Sequence, residues 1–260
     1  MRADWLLPQW CAEGVGAVMT TRAGGVSGAP FDTMNIRFEV GDDATAVLHN
    51  RALLAEASGA APVYLNQVHG AVVVRLDQRD RLTGAARHTA DASFTAEPGI
   101  ACTAQVADCL PVLFAAPAGR AVGAAHAGWR GLSLGVLEAT VQQLCDAAHC
   151  EPAELQVWLG ACIGPTRFEV GADVLQAFGA DPRASDPARF VPNKPGKWLA
   201  NLPQLARDRL HAAGVRAISG GEWCTVNEPS RFFSYRRDGV TGRMVAAVWR
   251  VSEGRLGNAG

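Results

Sequence analysis

Residues 121–131 read AVGAAHAGWRG, a stretch that opens as a buried strand and closes on an imidazole, an indole and a guanidinium set between glycines. An unbroken apolar run such as residues 121–125 fits a strand covered on both faces better than one with a wet side. The pattern then changes period. Leu134, Leu137, Val141, Leu144, Cys145 and Ala148 recur at helical spacing, with Ser133 near the N-cap, so a helix is expected to lie on a sheet face.

Further β-like runs cover residues 15–21, 63–68, 72–76, 111–114, 155–159, 215–219 and 244–251. Two more helices are expected. One spans residues 173–178, and one is capped by Asn201, carries Pro203 in its first turn and ends at Gly214. Strands and helices do not alternate strictly, which disfavours a doubly wound parallel sheet. The expected class is α+β, with mixed β-sheets and flanking helices in a single domain over residues 1–260. The proline-rich stretch 179–196 reads as a long surface loop.

Composition narrows the function classes. With 48% apolar and 19% charged residues and a net charge of −1, the 260-residue chain folds as an ordinary globular protein. It offers no basic face for nucleic acid, so a small-molecule partner is expected. The N-terminal MRADWLLPQWCAEG is too short and polar for a signal peptide. The most apolar window, residues 100–117, contains Gln105 and Asp108, whose burial at mid-bilayer would cost several kcal/mol, so no membrane span is expected. Seven cysteines, odd in number and without C-x-x-C spacing, point to reduced thiols and a cytoplasmic location. No Walker loop or dinucleotide-binding glycine loop is present.

Of six histidines, His49 in VLHNRALL is expected in a helix, His149 near a helix end, His211 inside the third helix and His88 in a polar loop, where solvated or structural roles suffice. His69 in NQVHG and His126 in AHAGWRG each end a strand-like run and are followed closely by glycine, and Cys109 in VADCLPVLF stands at another strand edge. Two imidazoles and a thiolate suit a borderline-soft divalent metal with one open position. The same residues also suit a metal-free site, with Cys109 as nucleophile and His126 as base, and Asp108 and Gln67 orienting the imidazole or donating to an oxyanion. Spacing does not separate the two.

A second constellation is cationic. Arg22 sits in the glycine-rich TTRAGGVSG, Arg130 in GWRG and Arg236 in FFSYRRDGVTGRM, a set that suits a phosphate. For Arg237 and Arg243 a hairpin turn at residues 238–242 with solvated guanidiniums is the simpler reading.

Taken in order, TRAGGVSGAPFDTMN, VGDD, NQVHG, ADCLPVLF, AHAGWRG, IGPTRFEV and CTVNEPSRFFSYRRDGVTGRMVAAVW resemble the YfiH family, once labelled multicopper polyphenol oxidase or laccase and now described as purine nucleoside phosphorylases. The resemblance implies a zinc site on His69, Cys109 and His126 in a mixed α/β fold related in its Cys-His geometry to a toxin-like cysteine hydrolase. It also implies phosphorolysis of adenosine, inosine and methylthioadenosine to the base and ribose 1-phosphate, with adenosine deaminase activity alongside. A related bacterial role is proofreading of a peptidoglycan precursor. The chain departs from the family pattern at Arg37 and Glu39, where a glycine and usually a histidine stand, at Thr166, Arg167 and Phe168, and at Asn201, where aspartate is usual. These departures bear on substrate preference.

The leading expectation is a zinc-dependent purine nucleoside phosphorylase, monomeric or weakly homo-oligomeric, with Arg22 and Arg130 orienting phosphate and Asp108 as acid/base. The alternatives are a Cys109/His126 hydrolase editing a cell-wall precursor, a copper oxidase of phenols, and a non-enzymatic structural or redox-sensing site. Copper is the weaker metal choice, because multicopper centres need many histidines and only two of six are placed for it.

Overall fold

The computed structural model describes residues 4–81 and 88–251. The strands in chain order are β1 (Val15–Met19), β2 (Ala61–Val63), β3 (Val73–Arg75), β4 (Ala92–Thr95), β5 (Ile100–Val106), β6 (Leu110–Ala115), β7 (Val122–Ala127), β8 (Gln156–Leu159), β9 (Glu169–Val170), β10 (Phe190–Pro192), β11 (Trp198–Ala200), β12 (Ala217–Gly220) and β13 (Met244–Arg250). The α-helices are α1 (Ala44–Ser58), α2 (Trp129–Ser133), α3 (Val136–Ala148), α4 (Ala172–Ala177), α5 (Leu202–Ala212) and α6 (Tyr235–Asp238).

Two mixed sheets dominate, ordered β1-β13-β5-β2 and β12-β8-β6-β7-β4-β3, beside a small β10-β11-β9 sheet. The alternation of side chains along each strand shows how they stack. Met244, Ala246 and Val248 of β13 enter a cluster with Leu113 of β6 and Val122 and Ala124 of β7, so the two large sheets pack face to face. Val245, Ala247 and Trp249 point the other way, onto Leu54 of α1. Val112 and Phe114 of β6 and Ala125 and Ala127 of β7 instead meet Leu137, Val141 and Leu144 of α3 and Leu205 and Leu210 of α5. The order is helix, sheet, sheet, helix. Both sheets are covered on both faces, which is why their central strands read as continuous apolar runs.

The expected mixed-sheet α+β class is what the chain adopts. Several local readings are corrected. The helix expected around His49 is α1, residues 44–58; its buried stripe is Val47, Asn50, Leu54 and Ser58, half of it polar, so its bounds carry little amphipathic signal. Asn50 is held there by hydrogen bonds from Nδ2 to Ser27 Oγ, Thr33 O and Asn35 O. Ser133 does not cap α3: Gly135, at φ 91°, separates α3 from α2, and Leu134 is 66% exposed in the break. The strand expected at residues 63–68 stops at Val63, and beyond it the Gln67 side chain replaces a backbone partner, donating to Gln105 O and accepting from Gln105 N at 2.8 Å each. The stretch 179–196 is not wholly a loop, since β10 lies inside it and Phe190 is fully buried. No helix among the described residues is long and apolar enough to cross a membrane.

Leu113 is fully buried between the sheets. Leu113→Ala is expected to lower the unfolding free energy by about 2–5 kcal/mol, measured by chemical denaturation with an unchanged m value.

Candidate functional site

Sheet register brings distant parts of the sequence to one edge. In the antiparallel β6-β7 pair Leu110 faces Ala127 and Pro111 faces His126, which sets Cys109, just before β6, beside Gly128, just after β7. The β4-β7 pairing of Ala92 with Ala125 leaves Asp91 next to His126, whose backbone N–H donates to Asp91 O at 2.7 Å. Parallel pairing of β3 with β4 carries the turn at residues 68–70 to the same end.

There the ligand atoms of His69, Cys109 and His126 lie within 4.8 Å of one another. Cys109 Sγ is 3.7 Å from His69 Nε2, and the two imidazoles meet edge to face at 4.8 Å between centroids. His126 is buried, Cys109 half-buried and His69 exposed. The backbone is strained around the cluster: His69 and Asp108 have φ of 62° and 91°, in a region that residues other than glycine seldom adopt. Two glycines are required by close approach. A Cβ at Gly128 would stand 2.9 Å from Cys109 Sγ and 3.0 Å from His69 Cδ2, and one at Gly131 would stand 2.7 Å from Gly70 O.

Asp91, which sequence reasoning missed, organises the cluster. His126 Nδ1 and the backbone N–H of His69 donate to its Oδ1 at 2.8 and 2.9 Å, and Gly70 and Val68 donate to Oδ2 at 2.7 and 3.2 Å. Burial alone would raise its pKa, but the His126 hydrogen bond and those from Gly70 and Val68 outweigh it and hold the carboxyl below the usual range. With Nδ1–H committed to Asp91, the neutral His126 ring keeps its lone pair on Nε2, as a metal-binding histidine requires. Burial also opposes ionisation of Cys109 and His126, yet they stabilise each other. The His126 charge and hydrogen bond, with help from His69, bring the thiol down to about 6. The Cys109 thiolate and Asp91 push His126 up to about 9.

Thiolate and two imidazoles, backed by a carboxylate on one imidazole, fit zinc or copper as a single-ion site. The remaining histidines lie elsewhere: His88 bonds Asp80, His211 bonds Val215 O, His149 caps the end of α3 and His49 is on α1.

The cluster borders a cavity of about 510 Å³. Gln67, Asp108, Arg130 and Arg236 also line it, whereas Arg22 and Arg237 do not. Arg22 is turned away, its guanidinium bonded to Asp32 O, Asp32 Oδ2 and Pro229 O, so the phosphate reading of this residue is corrected. Arg237 is bound by Asp238, Thr225 O and Phe232 O. The expected hairpin at 238–242 is instead the end of α6, and Arg243 faces the cavity with Arg37. Gln67 does not orient the imidazole, since its amide is engaged with Gln105; Asp91 does. Both Asp108 oxygens are occupied, accepting from Thr225 Oγ1 at 2.5 Å and Arg236 N at 2.6 Å. As it stands, Asp108 anchors α6. Glu39, Trp129, Phe168 and Tyr235 complete the part of the wall relevant here.

Fold and site together define a mixed-sheet α+β protein with a potential single-metal centre at the base of a cationic, small-molecule-sized cavity. The chain belongs to the family described as multi-copper polyphenol oxidoreductase laccase, which matches residues 16–251. It is 49% identical to the purine nucleoside phosphorylase PA4543 of Pseudomonas aeruginosa, over 94% of this chain and 98% of that protein. It is 46% identical to the purine nucleoside phosphorylase YfiH of Escherichia coli, over 95% and 98%. Among solved structures it resembles NMB0706 of Neisseria meningitidis, with a TM-score of 0.86, 43% identity and coverage of 96% and 100%. YlmD of Geobacillus stearothermophilus gives 0.89, 36%, 97% and 98%.

In chelator-treated protein, alkylation of Cys109 is expected to rise through pH about 6 instead of the ordinary thiol value of 9. The sign follows from a depressed folded pKa: the thiolate is present above it and lost as pH falls through it. Peptide mass spectrometry after timed iodoacetamide treatment reads the profile, and stoichiometric zinc is expected to protect the thiol.

Proposed function

We propose that this chain is a purine nucleoside phosphorylase that holds one zinc ion on His69, Cys109 and His126 and converts adenosine, inosine or methylthioadenosine, with phosphate, to the free base and a ribose 1-phosphate. The observation that carries the reading is the meeting, in one cavity, of a three-ligand cluster, several guanidiniums and three aromatic rings, Trp129, Phe168 and Tyr235. Relatives named for this activity, matched over nearly their whole length, support it. So does the volume of about 510 Å³, which falls within the ~300–1,000 Å³ typical of small-molecule sites.

In the reaction a phosphate oxygen attacks C1′ of the ribose, the bond from C1′ to the purine nitrogen breaks, and the departing base takes a proton. The protein's task is to align an anion with an uncharged nucleoside and to stabilise charge as it shifts. Zinc, when bound, supplies a Lewis acid at the base of the cavity. Arg130 and Arg236 bring positive charge to the wall; the first stacks on Trp129 at 4.4 Å, and the second lies 5.4 Å from the Phe168 ring and donates to Glu169 O. Half-buried Trp129 and exposed Tyr235 are the aromatic side chains of the wall available to a purine, while Phe168 is buried beneath it. Asp108 holds the backbone of Arg236 through its N–H and thereby positions that guanidinium. Asp91 fixes the His126 ring and keeps its Nδ1 proton in place.

Zinc-loaded protein incubated with each of the three nucleosides, with and without phosphate, is expected to release base only when phosphate is present, as read by chromatography. Base released equally without phosphate would sink the phosphorylase reading in favour of hydrolysis, and inosine formed from adenosine would mark deamination by the same site. Asp91→Asn is expected to weaken zinc binding by about 10–100-fold, measured by competition with a chromogenic chelator, and Cys109→Ala to abolish stoichiometric zinc.

A further inference from the structure

The cavity wall carries cations that its own partners do not neutralise, and they gather where β13 begins. Residues 35–37 are pinned against that point. Arg243 N donates to Asn35 Oδ1 at 2.9 Å, Ile36 N donates to Arg243 O at 3.3 Å, and Asn35 Nδ2 donates to Arg37 O at 3.0 Å. Asn35 is itself fully buried and also donates to Asp42 Oδ2 at 2.8 Å. Arg37 and Arg243 therefore reach the same cavity from one fixed piece of backbone.

Their hydrogen bonding is incomplete in a directional way. Arg243 uses Nη1 alone, donating to Thr241 O and Gly242 O at 2.9 and 3.0 Å; its Nε and Nη2 make no hydrogen bond among the described residues, and no carboxylate pairs with it there. Tyr235 flanks the group at 5.7 Å from the ring centroid. Arg37 meets Glu39 only at the rim, Nε to Oε2 at 3.4 Å. Burial and, after it, the charge of Arg37 push Arg243 below its ordinary value, against the opposing pull of Cys109, Asp108 and Tyr235. By contrast, outside the cavity, Arg237 is engaged by Asp238 and by the carbonyls of Thr225, Val226 and Phe232, and each guanidinium nitrogen of Arg22 has a partner in Asp32 or Pro229. The free Nε/Nη2 edge of a guanidinium is the edge that matches two oxygens of a tetrahedral anion.

We propose that Arg243, assisted by Arg37, forms the oxyanion subsite of this cavity and takes inorganic phosphate. The choice of phosphate as the anion rests on the phosphorylase reading; the subsite itself rests on the geometry. Glu39 occupies one edge of Arg37 at the rim and leaves the rest of that guanidinium for the anion.

Calorimetric titration of the zinc-loaded protein with inorganic phosphate tests the assignment. Arg243→Gln is expected to weaken phosphate by about tenfold to a hundredfold, the loss of a pair of charge-assisted hydrogen bonds, and Arg37→Gln by about threefold to tenfold. Arg183→Gln, on an exposed loop, should leave the affinity unchanged. Arg243→Lys should restore little, because an ammonium lacks the fork. In turnover, the KM for phosphate should rise while that for nucleoside stays within about twofold, as expected when only the anion's contacts are removed. Should Arg243→Gln not fold, as judged by near-ultraviolet circular dichroism, the rim variant Arg37→Gln decides alone. Unchanged phosphate affinity in the folded variants overturns the subsite, as does a loss confined to adenosine 5′-monophosphate, which would assign the guanidiniums to a substrate phosphate. Weakened phosphate in a protein that cleaves no nucleoside leaves the subsite standing and removes the phosphorylase reading.

Discussion

The Asp91 carboxylate, 1% exposed, is the constraint from which the site follows. A buried charge is tolerated only when its acceptor positions are filled. Here three successive backbone N–H groups, from Val68, His69 and Gly70, and one imidazole N–H fill them. That saturation fixes the turn at residues 68–70, including the left-handed backbone of His69, and at the same time sets the tautomer and plane of His126. Two of the three prospective ligands are thus positioned by one carboxylate. The third, Cys109, is placed by strand register and by the missing side chain of Gly128.

The layering explains why the chemistry collects at a strand end. With helices outside and two sheets face to face inside, the central strands have no wet face on which a polar side chain could sit without a partner. Two of the amides that enter the interior are held by backbone partners, Gln67 by Gln105 and Asn50 by Thr33 and Asn35. Only where β6 begins and β7 ends can imidazole, thiolate and solvent meet, and the positive φ of His69 and Asp108 marks the backbone cost of bringing them together.

How legible this was depends on how local each signal is. Residues 121–125 announced a doubly covered strand because burial on both faces leaves a continuous apolar run, and the cap Asn201 and terminator Gly214 of α5 act within a turn of the helix they bound. Helix α1 was legible around His49 but not in its bounds, because Asn50 and Ser58 occupy its buried stripe, an environment created by residues 27–35 and 60. His69, Cys109 and His126 stood out by residue type at strand ends, but Asp91 did not, since nothing near TADASF reveals that two separate segments will donate to it. The arginines show the same limit. Arg22, in a glycine-rich turn, looked like an anion binder, yet its guanidinium is claimed by Asp32 and by Pro229, far along the chain. Arg243, in an apparent surface turn, is drawn to the cavity by a backbone bond to Asn35.

Charge balance ties the cavity's two ends to one substrate pair. At the base, the Asp91 carboxylate and the Cys109 thiolate, held low by His126, make an anionic environment suited to a dication. Along the wall, Arg37, Arg130, Arg236 and Arg243 face Glu39 and an Asp108 whose oxygens are already bonded, so positive charge is in excess. A neutral ligand alone would leave that excess unmatched, and an anion alone would leave the apolar part of the wall, Trp129 and Tyr235 among it, without a partner. An oxyanion on the arginines together with an uncharged, ring-bearing molecule against the aromatic wall satisfies both, which is the pairing a nucleoside phosphorylase requires. A phenol is uncharged at neutral pH and would leave the guanidiniums unmatched, as any neutral ligand alone would. The composition of the wall, more than the cluster at its base, therefore supports the proposed phosphorylase over a phenol oxidase.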